Sequence, residues 1–489
     1  MTSRTFAALG TFAISAALAA FVAAGAGCGS SGATASTSPG GSRPGDPDGG
    51  PSDPGCDPGQ RAECPIVTSP DGSDASPGTA ARPVRTLKRA LAMAKKGQTI
   101  SLGDGAYDTA NGERWPAKVG DGVILEATTA GKAILRGAPD VDGLVFEGAG
   151  AIRGITLGAF RTALSASAGT LHASNIRISG GGGVALGGSA RAALSQITLD
   201  GILGAGVRLA DQARLEMNHG TIRGTTDPPL DTDACANVGV RLGGSSTATV
   251  NDVTVTSLGS FGIVALDHAV ATLSNSTLIR TPYPRACAKL VQIGVADHAA
   301  LTVEGSSVSD ETGIGAVVRD ESGKLELRAT KIVQSDIGIV SNGRLELQKS
   351  VVEECRTGGV HLGEKSYAII AGSTIATSPG IRSAPDSTLL LRKSMVVSET
   401  GYSIRIENAH GDLGTAKEPG GNHIFGKEIG LVVDSKPSST TLVQASGNSW
   451  RPKVQGSDVY GTYTAQLVEG PQITNDGNFS LSEGSAIQF

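Results

Sequence analysis

The chain has 489 residues, 41 of them basic and 46 acidic, for a net charge of −5, a balance that excludes global attraction to nucleic acid or to anionic membranes. Aromatic residues make up only 3% and glycines number 69, which suits thin, closely stacked layers better than one thick globular core. The length exceeds that of an average domain, yet a repeat protein can reach it as one body because each repeat touches only its neighbours.

In chain order, the first element is an address. Arg4 supplies a positive start, Phe6 to Ala24 form an Ala-rich apolar run, and the run ends at Gly25-Ala26-Gly27-Cys28. Small residues before a cysteine resemble the lipobox of bacterial lipoproteins, in which the cysteine is lipidated; Gly25 departs from the Leu usual there. The resemblance implies a signal peptide over 1–28, lipidation at Cys28, and an exported protein held by its lipid to the cell envelope, at the outer membrane. An ordinary signal peptide or an uncleaved anchor is the rival reading. Residues 29–55 are almost entirely Gly, Ser, Pro, Asp, Ala and Thr, too poor in apolar groups to fold. They read as a flexible linker with a reach of roughly 29 Å. Exported chains meet oxidising conditions, so Cys56 and Cys64, which enclose a short Pro/Gly loop, are expected to pair. With no C-x-x-C and no nearby His, no metal site is expected there.

Residues 56–110 form an N-terminal cap module. Ile66-Val67 starts a strand, Asp71-Gly72 and Pro77-Gly78 turn, and Leu87, Ala90, Leu91 and Ala94 mark one face of a short helix. Pro83 lies near its start, Gly97 stops it, and Thr99 to Leu102 is again a strand. The stretch SPDGSDASPGT, with Pro83, Thr86, Ala90, Gly97, Thr99-Ile100 and Gly105-x-Tyr107, resembles a family of unknown function found at the front of pectin-lyase-like proteins. The resemblance implies a parallel β-helix and no particular reaction.

From Leu171 one pattern recurs: apolar, any, apolar, two residues that are often small, any, apolar. It starts at Leu171, Ala192, Leu215, Ala248, Ala271, Leu301, Leu325, Leu345, Ala368 and Leu389. Each instance is followed by a Gly and a second short strand, as in Gly206-Val207-Arg208-Leu209 and Gly239-Val240-Arg241-Leu242. Period-2 alternation marks strands with one face in and one out, and there is no room for a helix between them. The leucine-rich ladder expected of the rival solenoid is missing. The fold class is therefore all-β, a right-handed parallel β-helix (a pectin-lyase-like solenoid) with a short N-terminal capping helix. Its body spans 56–411, with regular coils over 171–411, less regular first coils before them, and irregular coils and a cap over 412–489, where Trp450 plugs the end of the stack.

Two spacings break the rhythm, Leu215 to Ala248 and Ala271 to Leu301. The extra residues, Arg223–Val238 and Ile279–Ile293, leave the same corner and flank a short one, Ser257–Ser260. Loops on a rigid scaffold carry function, so the ligand-binding candidates are Asp227, Asp231, Asp233, Tyr283, Arg285 and Lys289. Arg208 and Arg241 join them, at equivalent outward positions of successive coils, about 4.8 Å apart. Surface charges that solvate and pair locally are the plain alternative. Cys235 and Cys287 are expected to bond and clamp the two inserts, leaving Cys355 as the free thiol. No catalytic residue can be assigned. The motifs of pectin-hydrolysing relatives (N-T-D, D-D, G-H-G and R-x-K on neighbouring coils) are not present in that arrangement, and G-x-S-x-G, H-E-x-x-H and the P-loop do not occur. No repeated Asp column accompanies Asp231 and Asp233, and His219, His268, His298 and His361 are scattered and read as surface or turn residues. The expected function is an envelope lipoprotein, monomeric, presenting a surface to a polysaccharide or an envelope protein, with no nucleic-acid partner and no cofactor. The alternative is a polysaccharide lyase working at the insert corner, which alone would call for Ca²⁺.

Overall fold

A computed structural model describes residues 64–225, 237–256, 259–280, 290–415, 417–427, 429–434, 441–451, 479–481 and 485–488, all in the compact unit 53–489. Every strand pairing is parallel, and the described strands fall into one sheet of fifteen and one of twenty-eight. The chain winds as a right-handed parallel β-helix, the hand that twisted strands impose on parallel crossovers. Fifteen levels at about 4.8 Å each give a stack about 67 Å long.

The ten repeat starts are Cα partners in one unbroken column from Leu171 to Leu389. Leu325, Leu327, Leu345 and Leu347 are fully buried, as are their equivalents in neighbouring coils. Each such leucine contributes about 1.5–3 kcal/mol of transfer free energy. The segments expected to form less regular coils are in fact continuous with this core: Ile66–Thr68, Thr99–Leu102, Val123–Ala127 and Gly150–Arg153 pair successively and lead into Thr170–Gly181.

Many coils have three strands, one more than the sequence pattern suggests: the apolar-x-apolar run and the apolar residue after it belong to separate strands, as in Lys324–Arg328 and Lys331–Val333. In Thr170–Gly181, Arg191–Ile202, Arg214–Gly224 and Thr247–Thr256 one strand runs through the bend instead. The pivot of the bend has positive φ: Asn175, Gln196, His219, Asp252, Asn275, Ala329, Lys349 and Lys393 in successive coils, with Gly at others. The backbone N–H groups at this bend turn inward, away from water. A column of buried hydroxyls receives them. Ser276 Oγ accepts from Val253 N, Ser306 from Ser276 N, Ser350 from Thr330 N, Ser373 from Ser350 N and Ser394 from Ser373 N, at 3.0–3.2 Å. Each hydroxyl donates to the carbonyl two residues back, as Ser350 does to Gln348. The small residues of the repeat are thus hydrogen-bonding parts of the corner.

At the corner before the fifteen-stranded sheet the repeat glycine has a steric cause. A Cβ on Gly338 would collide with Val352 Cγ1 and lie 2.6 Å from the Gly359 carbonyl. At the front, helix α1 (Leu87–Met93) packs on strands Ile66–Thr68, Thr99–Leu102 and Ala117–Val119. Leu87 and Ala90 are buried. Thr86 caps it by accepting from Arg89 N, the Glu113 carboxylate accepts from Leu87 N and Lys88 N, and Asp74 of the SPDGSDASPGT turn accepts from Thr86 N. These bonds satisfy N–H groups that a helix start leaves open.

Cys64 is disulfide-bonded, and Cys56, its expected partner, lies outside the described residues. So do Cys28, Cys235 and Cys287. Cys355 is a buried free thiol, and burial pushes it up to about 11.

Candidate functional site

The fifteen-stranded sheet follows the corner from which both inserts leave, so its outer face is where they would meet a ligand. Strands Ala205–Leu209 and Val238–Leu242 turn Val207, Leu209, Val240 and Leu242 into the core. Alternation then directs Arg208 and Arg241 outward. The two arginines are Cα partners, both exposed, and among the described residues neither forms an ion pair. Like charges on strands about 4.8 Å apart repel each other, and a bound anion would relieve that repulsion.

Beside them is an open cleft of about 260 Å³ lined by Val145, Ser165, Ser167, Ala185, Gly187, Arg208 and Ala210. Its floor is shallow because three preceding coils place small residues outward. Arg208 forms one wall, and Lys118, in the same column, is paired with Glu147 at 2.8 Å beyond the other. Asp227, Asp231, Asp233, Tyr283, Arg285 and Lys289 lie outside the described residues, as do Ser257 and Leu258 of the short corner. The Cys235–Cys287 clamp falls there too.

The corner that carries the second insert holds a pair the sequence reading passed over. Arg280 and Asp310 are Cα partners with fully buried side chains, joined Nη1 to Oδ2 at 3.1 Å. Arg280 Nη2 also donates to the carbonyls of Ser260, at 2.7 Å, and Val291, at 3.3 Å. One guanidinium therefore ties three successive coils together where residues 281–289 depart. Burial pushes the Arg280 guanidinium down and the Asp310 carboxyl up, each partly offset by the other's charge.

A column of aspartates lies at the turn after the fifteen-stranded sheet, apart from Asp231 and Asp233, which lie outside the described residues. Asp211 accepts from Gly188 N, Asp267 from Gly244 N, and Asp320 from Asp297 N, at 2.6–2.7 Å. These carboxylates are occupied by backbone N–H groups, and no group of three His, Cys, Asp or Glu able to hold a metal occurs among the described residues. His219, His268 and His298 are exposed, as expected of surface or turn residues, but two of them are not scattered. His268 and His298 occupy equivalent turns and stack at 4.9 Å. His219 pairs with Asp252 at 2.6 Å. His361, expected to be fully outward, faces out from its strand but is half-buried, because its ring folds back over Gly358.

Residues 70–253 match a family described as a protein of unknown function (DUF1565). The parallel register of the stacked coils fixes the fold type. The chain is a pectin-lyase-like parallel β-helix. No curated protein matches. Solved structures similar to the β-helix include a PL6 alginate lyase in complex with a trisaccharide, at 11% identity and a TM-score of 0.37, covering 82% of this chain and 92% of that one. Another is the mannuronan C-5 epimerase AlgE4 A-module of Azotobacter vinelandii, at 12% and 0.36, covering 75% and 91%. A third is the pectate lyase Pel9A, at 11% and 0.31, covering 72% and 80%.

Proposed function

We propose that this protein is an exported, lipid-anchored envelope protein whose β-helix recognises an anionic carbohydrate along the outer face of its fifteen-stranded sheet. The observation that carries the reading is the stacked, exposed couple Arg208 and Arg241, without an ion pair among the described residues, at the edge of the shallow cleft. A linear acidic sugar chain suits this surface. Its carboxylates can take the paired guanidinium donors, and its flat rings can lie over Ser165, Ala185 and Gly187 without a deep pocket.

Recognition is favoured over turnover because, among the described residues, the charged residue lining the cleft is Arg208, and the aspartates of the adjoining turn accept from backbone N–H groups. The test is binding of the full chain to polygalacturonate, followed by calorimetry. Arg208→Ala/Arg241→Ala should weaken binding by about ten-fold or more, since charge-assisted hydrogen bonds contribute about 1.5–3 kcal/mol each. Added salt should weaken wild-type binding and affect the variant less. Equal affinity of variant and wild type would remove the site.

A further inference from the structure

At the turn after the fifteen-stranded sheet the sequence Asp-His-Ala occurs on two successive levels, as Asp267-His268-Ala269 and Asp297-His298-Ala299. Register makes the two turns equivalent: Ala265 is the Cα partner of Val295 before them, and Val270 of Ala300 after them. Each closes with the same bond, Ala269 N donating to Leu266 O at 3.1 Å and Ala299 N to Ala296 O at 3.3 Å. Each holds its aspartate in the left-handed region, at φ 61° and 59°. Identical backbones one level apart carry their side chains in parallel. The two imidazole planes therefore differ by only 5°, and the ring centroids lie 4.9 Å apart, close to the level spacing of about 4.8 Å. Both histidines are exposed, so their ring edges are open to solutes.

The base that carries these rings is pinned and negative. Asp267 accepts from Gly244 N at 2.7 Å, Asp297 from Asp267 N at 3.4 Å, and Asp320 from Asp297 N at 2.6 Å. Three carboxylates thus hold the turn backbone in place and lend it negative potential, which draws cations. Farther along, Glu321 and Lys365 offset each other in an ion pair at 3.4 Å. Imidazole nitrogen then selects among cations: it suits Zn²⁺, Cu²⁺ and Ni²⁺, whereas Ca²⁺ and Mg²⁺ take oxygen ligands. We infer that His268 and His298 form a two-imidazole site for a divalent transition-metal ion, with Zn²⁺ as its type. Zinc bonds imidazole nitrogen at about 2.0–2.1 Å, so two ligating nitrogens of a tetrahedral site stand about 3.4 Å apart. Rings related by translation hold like nitrogens about 4.9 Å apart. Tipping the two exposed rings toward each other closes the difference of about 1.5 Å and leaves the pinned turn where it is. No third protein ligand stands with the pair among the described residues. Water completes the shell, and the site is open and exchangeable, unlike a closed structural zinc site. Two ligands hold the ion because the second imidazole binds intramolecularly, at high effective concentration.

The test is a calorimetric titration of zinc chloride into the full chain, free of any affinity tag, with thermal unfolding measured alongside. Wild type should bind zinc, and its unfolding temperature should rise as zinc is added, because an ion held by the native state stabilises it. His268→Gln and His298→Gln should each weaken this binding about ten-fold or more, and the double variant should be little worse than either single one, since an imidazole left alone has lost the chelate. In nuclear magnetic resonance spectra the ring protons of both histidines should shift together as zinc is added. Excess Ca²⁺ should not displace the zinc. Zinc affinity that is unchanged in the double variant overturns the site and moves the ion elsewhere, His219 with Asp252 being the next such pair. Displacement by Ca²⁺ overturns it in favour of the aspartates. Single variants that lower the number of ions bound but not the affinity overturn it in favour of two independent imidazoles.

Discussion

At the scale of single residues, the pair Arg280–Asp310 governs the corner beneath the second insert. Its charges have left water entirely, and the desolvation cost of each is partly offset by the other, with the Ser260 and Val291 carbonyls accepting from Arg280. Removing one partner strands a buried charge, so Arg280→Met should lower unfolding free energy by about 3–5 kcal/mol. Arg280→Met/Asp310→Leu removes both charges and should recover most of that loss, because apolar replacements of buried pairs are often neutral. Urea denaturation of the three proteins decides it; a double variant as unstable as the single one would show that the pair's hydrogen bonds, and not charge balance, hold the corner. The sequence could not reveal this pair. Arg280 sits at an inward strand position, but nothing local distinguishes a lumen-facing arginine from one released by the insert. Arg208 and Arg241 were legible because the same Gly-Val-Arg-Leu run stands on either side of the first insert, at Gly206–Leu209 and Gly239–Leu242.

At the scale of elements, alternation made the apolar-x-apolar strands readable, since period-2 burial leaves its mark directly in the sequence. The third strand was hidden because its pivot needs only one residue in a left-handed conformation, and Asn175, Gln196, Lys349 and Ala329 all serve. No single residue type advertises it. The hydroxyl ladder is the physical partner of that bend and appears in sequence only as a preference for small residues. Ser350 is its clearest rung: it accepts from Thr330 N and donates to Gln348 O, while its own N–H is received by Ser373. Ser350→Ala leaves the buried Thr330 N–H without its acceptor, which should cost about 1–3 kcal/mol. Ser350→Thr keeps the hydroxyl and should cost less, as Thr330 already fits one level below. Thermal unfolding of both variants measures the difference, and equal losses would mean that volume rather than hydrogen bonding sets the rung.

At the scale of the whole molecule, the sequence disclosed the fold far better than the function, for a physical reason. A solenoid core repeats the same inward contacts at every level, so the signal accumulates over many coils. A binding face is written once, by outward residues that any soluble surface could carry. The N-terminus adds a constraint of its own. If Cys28 carries lipid, the linker over 29–55 lets a rigid stack about 67 Å long stand clear of the bilayer with its outer sheet face free. A mildly acidic body, with net charge −5 over the chain, gains no attraction to an anionic membrane to hold it there. Retention would then depend on the acyl chains alone. Cys28→Ser should therefore move the protein from the membrane fraction to the soluble fraction, or arrest it as an unprocessed precursor, without changing the unfolding transition of the β-helix. Fractionation and intact-mass measurement test this together. A Cys28→Ser protein that still sediments with membranes and shows no mass difference attributable to lipid would assign retention to the apolar run Phe6 to Ala24, and with it an uncleaved anchor.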